Sequence, residues 1–117
     1  MQFYERYTFL EFFDREEIID LEVSISKYII SLDDRSIFSL CISPHEEYAT
    51  MKLIIDNASS PIFEISISSL DRISCTDDSL YFFKQSNDIP FPYQDAHLKE
   101  PFLIVRVKPT VSFQCDI

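Results

Sequence analysis

The stretch Ser36–Ser43, with the sequence SIFSLCIS, decides the fold because its side chains alternate in character. The two alternating sets are Phe38, Leu40 and Ile42 against Ile37, Ser39 and Cys41. A period of two residues is typical of a β-strand with one buried face. Pro44 follows directly and ends the strand, because proline has no N–H to donate to a neighbouring strand.

The same alternation occurs in three segments on either side of this strand. They are Leu21–Ser26, Thr50–Ile55 and Phe63–Ile67. In the first of them, the pattern places Leu21, Val23 and Ile25 on the buried face. The residues Leu32–Arg35, with Asp33 and Asp34 at their centre, are typical of a hairpin turn. Four short alternating strands in succession predict an antiparallel meander.

The N-terminal segment has the spacing of a helix rather than a strand. Its apolar stripe consists of Phe3, Tyr7, Leu10 and Phe13, widened by Phe9 and Phe12. The residues Asp14–Glu17 mark the end of this helix. Carboxylates at a helix C-terminus are poorly placed for the helix dipole, which leaves a strand or a broken helix open for this segment.

The C-terminal half predicts further strands around one long loop. Residues 80–84 form an aromatic strand, residues 102–107 a strand covered on both faces, and residues 111–115 a short final strand. Three prolines make residues 86–101 the longest loop. The pattern of residues 68–79 fits either a helical turn or a bent strand, and both stay open.

These elements together predict the fold class α+β, with an N-terminal helix packed on a largely antiparallel, meander-like β-sheet. A chain of 117 residues with 11 Phe and 6 Tyr can build one hydrophobic core without a metal or a disulfide. The sequence shows no internal repeat or linker. We therefore expect a single domain that spans residues 1–117.

The absence of glycine from the whole chain excludes several classes of enzyme site. Glycine-rich phosphate loops, dinucleotide-binding fingerprints and the G-x-S-x-G nucleophile elbow each need backbone that only glycine adopts without strain. We therefore expect no nucleotide cofactor and no α/β-hydrolase chemistry. Turns in this chain must instead use aspartate, asparagine, serine and proline.

The charge of the chain limits its partners. Twenty acidic residues against ten Lys and Arg give a net charge of -10, which repels nucleic acids and anionic membrane surfaces. The charged N-terminus is unlike a signal peptide, and no run reaches the roughly 18 apolar residues of a membrane span. Cys41, Cys75 and Cys115 show no metal-binding spacing. We expect a cytoplasmic protein with free thiols, no metal and no cofactor, and a core position for Cys41.

The two histidines leave an enzyme or a ligand-binding domain open as an alternative. His45 lies beside Glu46 and Glu47, and His97 follows Asp95, so each could act as a general base held by a carboxylate. The H-E-E sequence lacks the second histidine that zinc proteases require. Surface histidines without a role are the more common case, and adjacent acids between strands are usually turn formers.

The predicted solvent face of the sheet is rich in serine and is surrounded by acidic corners. The face consists of Glu22, Ser24, Ser26, Ser39, Thr50, Lys52, Glu64, Ser66 and Ser68. The corners are Glu16–Glu17, Asp33–Asp34, Glu46–Glu47 and Asp77–Asp78. A negative field of this kind can steer a basic protein onto the surface. An acidic structural adaptor, whose charge serves solubility alone, remains the other alternative.

Three stretches carry a resemblance to a known class of proteins. With IISLDD at 29–34, ISPHEEY at 42–48 and LYFFK at 80–84, the chain resembles immunity proteins of bacterial contact-dependent growth inhibition systems. The resemblance implies a protein that binds and blocks the toxin domain of its own system. Many of these toxins are nucleases with basic clefts, which suits an acidic inhibitor.

We therefore expect a non-enzymatic protein that neutralises a nuclease, most simply a ribonuclease, by acidic occlusion of its active site. The candidate contact residues follow from the acidic corners. Glu46 and Glu47 rank first, because they follow a proline that ends a strand and precede Tyr48, an aromatic anchor. Asp33 and Asp34 rank second, and Asp77 and Asp78 rank third.

Overall fold

The fold consists of one short helix and nine β-strands within the described residues, which are 3–32, 35–55, 62–85, 101–108 and 111–115 of a computed structural model. The helix α1 spans Arg6–Phe12. The strands are β1 Arg15–Asp20, β2 Ile25–Ser31, β3 Ser36–Ser43, β4 Tyr48–Ile55, β5 Phe63–Ile67, β6 Leu70–Cys75, β7 Ser79–Lys84, β8 Leu103–Arg106 and β9 Ser112–Cys115. One turn of 3-10 helix, Pro44–Glu46, joins β3 to β4.

The strands form two antiparallel sheets in which neighbours along the chain are neighbours in space. Sheet A has the order β1-β2-β3-β4-β5, and sheet B has the order β6-β7-β8-β9. The predicted meander is therefore confirmed. The hairpin between β2 and β3 is also confirmed, because the N–H of Leu32 donates to the carbonyl oxygen of Ser36 at 2.8 Å. Asp33 and Asp34 themselves lie outside the described residues.

The inner face of sheet A follows the alternation of β3. Phe38, Leu40 and Ile42 are fully buried, as predicted. Leu40 lies between Tyr28 of β2 and Met51 of β4 in the register, and both of these side chains are also fully buried. Directly opposed side chains on one face pack on each other, so this row fixes the register of the three strands.

A single hydrophobic cluster joins sheet A to sheet B and to the helix. Sheet B contributes Ile73, Leu80, Phe82 and Val105 among others, and α1 contributes Phe9. Leu80 and Phe82 are fully buried, as is Phe9. Both sheets and the helix bury apolar side chains in this one cluster. The cluster therefore fixes the position of the strands relative to α1.

The predicted stripe on the N-terminal helix is wrong in its register. Tyr7 is 81% exposed and Leu10 is 41% exposed, whereas Phe9, Phe12 and Phe13 are buried. The helix begins only at Arg6 and has seven residues, so Phe3 lies before it and the spacing counted from Phe3 does not continue through it. Two turns of helix can bury only the side that faces the cluster.

The prediction for residues 14–25 is also corrected. The acidic segment expected to end the helix lies in β1, and Leu21–Ser24 form the turn that joins β1 to β2. Leu21 is 79% exposed, so the predicted buried face does not exist there. The alternation begins only in β2, where the even-numbered residues face the core instead of the predicted odd-numbered ones. Ser26, Tyr28 and Ile30 are buried.

Two predictions about small side chains in the sheet are corrected by the register. Cys41 is not in the core: it lies half-buried on the outer face of sheet A, opposite Lys27 and Thr50. Ser26 and Ser39, which were expected on the solvent face, are 8% and 5% exposed. Ser26 belongs to the inner face, and Ser39 is covered on the outer face.

Sheet B was only partly expected. Residues 68–79, whose pattern fits either a helical turn or a bent strand, contain the strand β6. The strands predicted at residues 80–84 and 111–115 are confirmed as β7 and β9. The strand β8 alternates instead of being covered on both faces, since Leu103 and Val105 are buried and Arg106 is exposed. The predicted loop lies almost entirely outside the described residues. No helix in the described part of the chain is long and apolar enough to cross a membrane.

Candidate functional site

The acidic residues predicted as contacts lie at opposite ends of sheet B. The N–H of Leu70, the first residue of β6, donates to the carbonyl oxygen of Glu47 at 3.0 Å. Asp77 follows two residues after Cys75, the last residue of β6. At a rise of about 3.3 Å per residue, the strand separates the two acidic pairs by roughly 17 Å. The acidic corners therefore do not form one patch.

The end that carries Asp77 and Asp78 has two adjoining cavities, which we call the acidic cleft. A cavity of about 350 Å³ is lined by Thr8, Glu11, Phe12, Cys75, Thr76, Asp77 and Lys108. A cavity of about 550 Å³ is lined by Asp14, Ile30, Ser31, Leu32, Asp78, Arg106 and Lys108. Lys108 lines both, so the two cavities meet at its side chain. Four carboxylates therefore converge on this end of the molecule.

The two cations of the acidic cleft are bound to the protein itself. The Nζ of Lys108 donates to the carbonyl oxygen of Phe12 at 3.2 Å and lies 4.6 Å from the centre of the Phe12 ring. The Nε of Arg106 donates to the carbonyl oxygen of Lys108 at 3.1 Å and lies 3.8 Å from Asp78 Oδ2. These contacts fix both side chains along the walls of the cleft. They hold the strand β8 and the following residues against the end of α1.

The four acids differ in how they are held. Asp14 Oδ2 accepts the N–H of Ser31 at 2.8 Å, and Asp78 Oδ1 accepts the hydroxyl of Ser79 at 2.9 Å. Glu11 and Asp77 are exposed and have no hydrogen bond or ion pair from their side chains to any described residue. Two carboxylates are thus positioned by the fold, and two are available to a partner.

A thiol lies at the floor of the cleft between α1 and β6. Cys75 is half-buried and packs against the hydrophobic core. Burial raises the pKa of the Cys75 thiol, and the nearby carboxylate of Glu11 acts in the same direction, while a hydrogen bond with Thr8 opposes it. A thiol with a raised pKa is largely protonated at neutral pH and reacts slowly. Its role here is packing.

The pair Glu46–Glu47, ranked first from the sequence, has a different setting. Both side chains are exposed, and Glu47 has a left-handed backbone with φ of 54°. Tyr48 does not project from the loop, because its side chain lies on the outer face of sheet A. Hydrogen bonds to Ser66 and Thr50 lower the pKa of Tyr48. No cavity among those described joins these residues to another acid.

The remaining predicted residues are placed as follows. His45 is exposed in the 3-10 turn, and no described side chain bonds to it. His97, Asp33 and Asp34 lie outside the described residues. Leu32, which directly precedes the Asp33–Asp34 pair, lines the acidic cleft. In the described part of the chain, no group of His, Cys, Asp and Glu is arranged to hold a metal ion.

Sequence reasoning missed Glu11 and Asp14 as members of the site. In a meander, alternate turns lie at the same end of the sheet, which is a signal that could have grouped the β2–β3 and β6–β7 turns once sheet B was recognised. The position of Asp14 depends on the end of a short helix, which no sequence pattern determines.

The comparison with known proteins gave no relative: no family model, no curated protein and no solved structure matches this chain.

Proposed function

We propose that this chain is a non-enzymatic immunity protein of the cytoplasm, which binds a basic toxin domain and blocks its active site. The observation that supports this proposal is the acidic cleft, which four carboxylates line and in which Lys108 and Arg106 each donate a hydrogen bond to a backbone carbonyl oxygen of the protein. The toxin class follows from the charge, since nucleases bind phosphate groups in basic clefts. A ribonuclease is the target that we propose.

The electrostatics of the cleft favour a cationic partner. Lys108 and Arg106 donate to backbone carbonyl oxygens, and Arg106 Nε also lies 3.8 Å from Asp78 Oδ2, so the protein itself holds both side chains, although that of Arg106 is 57% exposed. Glu11 and Asp77 face solvent without such partners among the described residues. Within a chain of net charge -10, this arrangement draws basic side chains toward the cleft.

Occlusion would work through imitation of the nuclease's substrate. A carboxylate accepts two parallel hydrogen bonds from an arginine and one from a lysine, as a phosphate group does. Glu11 and Asp77, which both line the smaller cavity, would contact the cationic side chains of the nuclease. Asp14 and Asp78 are fixed by their bonds to Ser31 and Ser79 and would widen the contact without rearrangement.

Charge reversal at the cleft tests the proposal in growing cells. On this proposal we expect the gene of the toxin-bearing partner immediately upstream of the gene of this chain. The full chain is expressed with that partner, and survival is measured. Glu11→Lys with Asp77→Lys should abolish protection, because truncating one partner of a buried charge pair costs about 2 to 5 kcal/mol. Glu46→Lys with Glu47→Lys is the matched control, since both double variants change the net charge from -10 to -6.

Two results would contradict the proposal. If the Glu11/Asp77 variant folds by circular dichroism and still protects fully, the cleft is not the contact surface. If the Glu46/Glu47 variant loses protection as fully as the Glu11/Asp77 variant does, the cleft is not the specific contact surface, and either the total charge or the pair ranked first from the sequence carries the binding. Loss of protection in His45→Ala alone would favour the enzyme alternative instead.

A further inference from the structure

The hairpin formed by β1 and β2 exposes a group of large apolar side chains at the end of sheet A opposite to the acidic cleft. Ile18, Ile19, Leu21 and Val23 are 55%, 56%, 79% and 39% exposed. Single exposed apolar residues are normal on protein surfaces, but four of them here lie within the six positions 18–23 of one hairpin. Patches of this kind mark interaction surfaces in soluble proteins.

The exposure of these side chains is fixed by the turn. Asp20 Oδ1 accepts the N–H of Glu22 at 3.0 Å and that of Val23 at 3.4 Å. Ser24 then takes a left-handed backbone with φ of 57°, which allows the chain to return as β2. Such turns favour asparagine, glycine and serine at their exposed positions. The apolar side chains of Leu21 and Val23 are not needed to form the turn. Their exposure to water therefore requires a separate explanation.

The strand β1 is also open on one side. It is the terminal strand of sheet A, and no described strand pairs with its outer edge. Ile19 lies at an irregularity in the register, between Ile18 paired with Ser26 and Asp20 paired with Ile25. An open edge can accept an extended segment of another protein, whose backbone adds a strand and whose side chains meet the exposed apolar ones.

The charges around the patch select the partner. Every charged residue from position 16 to position 24 is acidic; Glu17 lies 3.9 Å from Arg15 and opposite Lys27, whereas the exposed Asp20 and Glu22 have no ion pair to any described residue. A second copy paired antiparallel around Glu17 would place like charges opposite each other, which destabilises a strand pair. A segment with basic side chains would instead bring opposite charges together.

We propose that the β1–β2 hairpin is a docking surface for an extended segment of a partner protein that alternates apolar and basic residues. This surface is independent of the acidic cleft, because it depends on apolar side chains at the other end of the sheet. The apolar positions of the segment contact Ile19 and Leu21. Its basic positions pair with the acids that border them.

The test uses a seven-residue peptide that alternates lysine and valine, titrated to millimolar concentration into the isotope-labelled full chain. Amide chemical shifts should change only within residues 15–25. Ile19→Ser with Leu21→Ser should weaken the binding at least fivefold. Ile55→Ser with Ile62→Ser is the matched control, because these side chains are 49% and 56% exposed elsewhere on the molecule, and it should bind as the wild type does.

Two further peptides separate the contributions of charge and apolar contact. A lysine–serine peptide should bind at least fivefold more weakly, and a glutamate–valine peptide should cause no shifts. The proposal is overturned if the lysine–valine peptide causes no shifts at residues 15–25, if its shifts map to the acidic cleft, or if the lysine–serine peptide binds equally well. An equal loss in the control variant would also overturn it.

Self-association is the competing occupant and is measured by sedimentation of the chain alone. A concentration-dependent dimer that the Ile19/Leu21 variant abolishes would replace the basic segment with a second copy and would overturn the proposal. The Glu11→Lys, Asp77→Lys variant should keep its affinity for the peptide. The two surfaces can therefore fail separately, because the cleft variant reports on protection and the hairpin variant reports on peptide binding.

Discussion

Replacing Tyr28 by phenylalanine removes one hydroxyl group from a network that ties the helix α1 to sheet A. The hydroxyl of Tyr28 donates to Glu16 Oε2 at 2.6 Å and lies 3.0 Å from the hydroxyl of Tyr4. Arg6 binds the same carboxylate through two nitrogens, at 3.0 and 2.6 Å. Because Arg6 is bonded to Glu16, the helix and β1 are joined through this carboxylate.

The expected loss follows from the burial of the network. Tyr28 is fully buried, and the side chain of Glu16 is 9% exposed. A hydrogen bond to a charged group contributes about 1.5 to 3 kcal/mol, so we expect Tyr28→Phe to lower the free energy of unfolding by about 2 kcal/mol. The aromatic ring remains in place and leaves no cavity. Glu16 keeps its bonds to Arg6 and is not left unpaired.

The pH dependence gives the sign of the effect. The hydrogen bonds from Arg6 lower the pKa of Glu16, burial opposes them, and the hydrogen bond from Tyr28 lowers the pKa further. A carboxyl with a lowered pKa stabilises the fold above its unfolded pKa, which is about 4.3, and loses this contribution as the pH falls through the folded pKa. The difference between wild type and Tyr28→Phe should therefore be full at pH 7 and shrink below about pH 4.

Urea unfolding of both proteins at pH 7, 5 and 3 measures this difference. Tyr81→Phe is the matched control, because Tyr81 is half-buried and its hydroxyl has no hydrogen-bond partner among the described residues; it should change stability by less than about 0.5 kcal/mol. The reasoning is refuted if Tyr28→Phe lies within about 0.5 kcal/mol of wild type at pH 7. A difference that does not shrink at any pH below the unfolded pKa of Glu16 would refute the role of Glu16.

Two further predictions concern buried serines and thiols. The hydroxyl of Ser43 is buried and has no hydrogen-bond partner among the described residues, whereas the hydroxyl of the buried Ser79 donates to Asp78. Ser43→Ala should therefore stabilise the protein and Ser79→Ala should destabilise it. We expect each change in the free energy of unfolding to be about 1 kcal/mol, measured by urea unfolding. A loss of stability in both variants would contradict this. Burial raises the pKa of the Cys41 and Cys75 thiols, whereas Cys115 is exposed. A thiol reagent should therefore modify only Cys115 rapidly in the native protein, and all three cysteines in denaturant. Fewer than three in denaturant without reductant would reveal a disulfide.

The sequence predicted the parts of the fold in which a strand buries one face. The side chains of β3 alternate in character and its apolar inner face of Phe38, Leu40 and Ile42 is buried, so its length, its end at Pro44 and its pairing with β2 and β4 could be predicted, whereas the burial of Ser39 on the outer face could not. The strand β1 could not be predicted, because five of its six residues are exposed and an edge strand without a buried face has no alternation. The helix was misread because seven residues are too few for a period of 3.6 to be distinguished.

The site depended on tertiary structure to a greater degree. Asp77 and Asp78 could be predicted as turn residues from their type alone. Their proximity to Glu11 and Asp14 depends on where α1 ends and on how sheet B packs on sheet A. No local sequence pattern predicts either of these. The outer position of Cys41 followed from the register, since it lies opposite Lys27 and Thr50 in the neighbouring strands.

The association rate of the chain with the purified toxin domain, measured as a function of salt, tests the central claim most directly. If the acidic cleft steers a basic partner, the association rate constant should fall by about 10-fold or more between low and high ionic strength, while the dissociation rate constant changes little. The Glu11→Lys, Asp77→Lys variant should lose most of this salt dependence, and Glu46→Lys, Glu47→Lys should keep it. An association rate constant that does not change with salt, or that changes equally in both variants, would contradict the account.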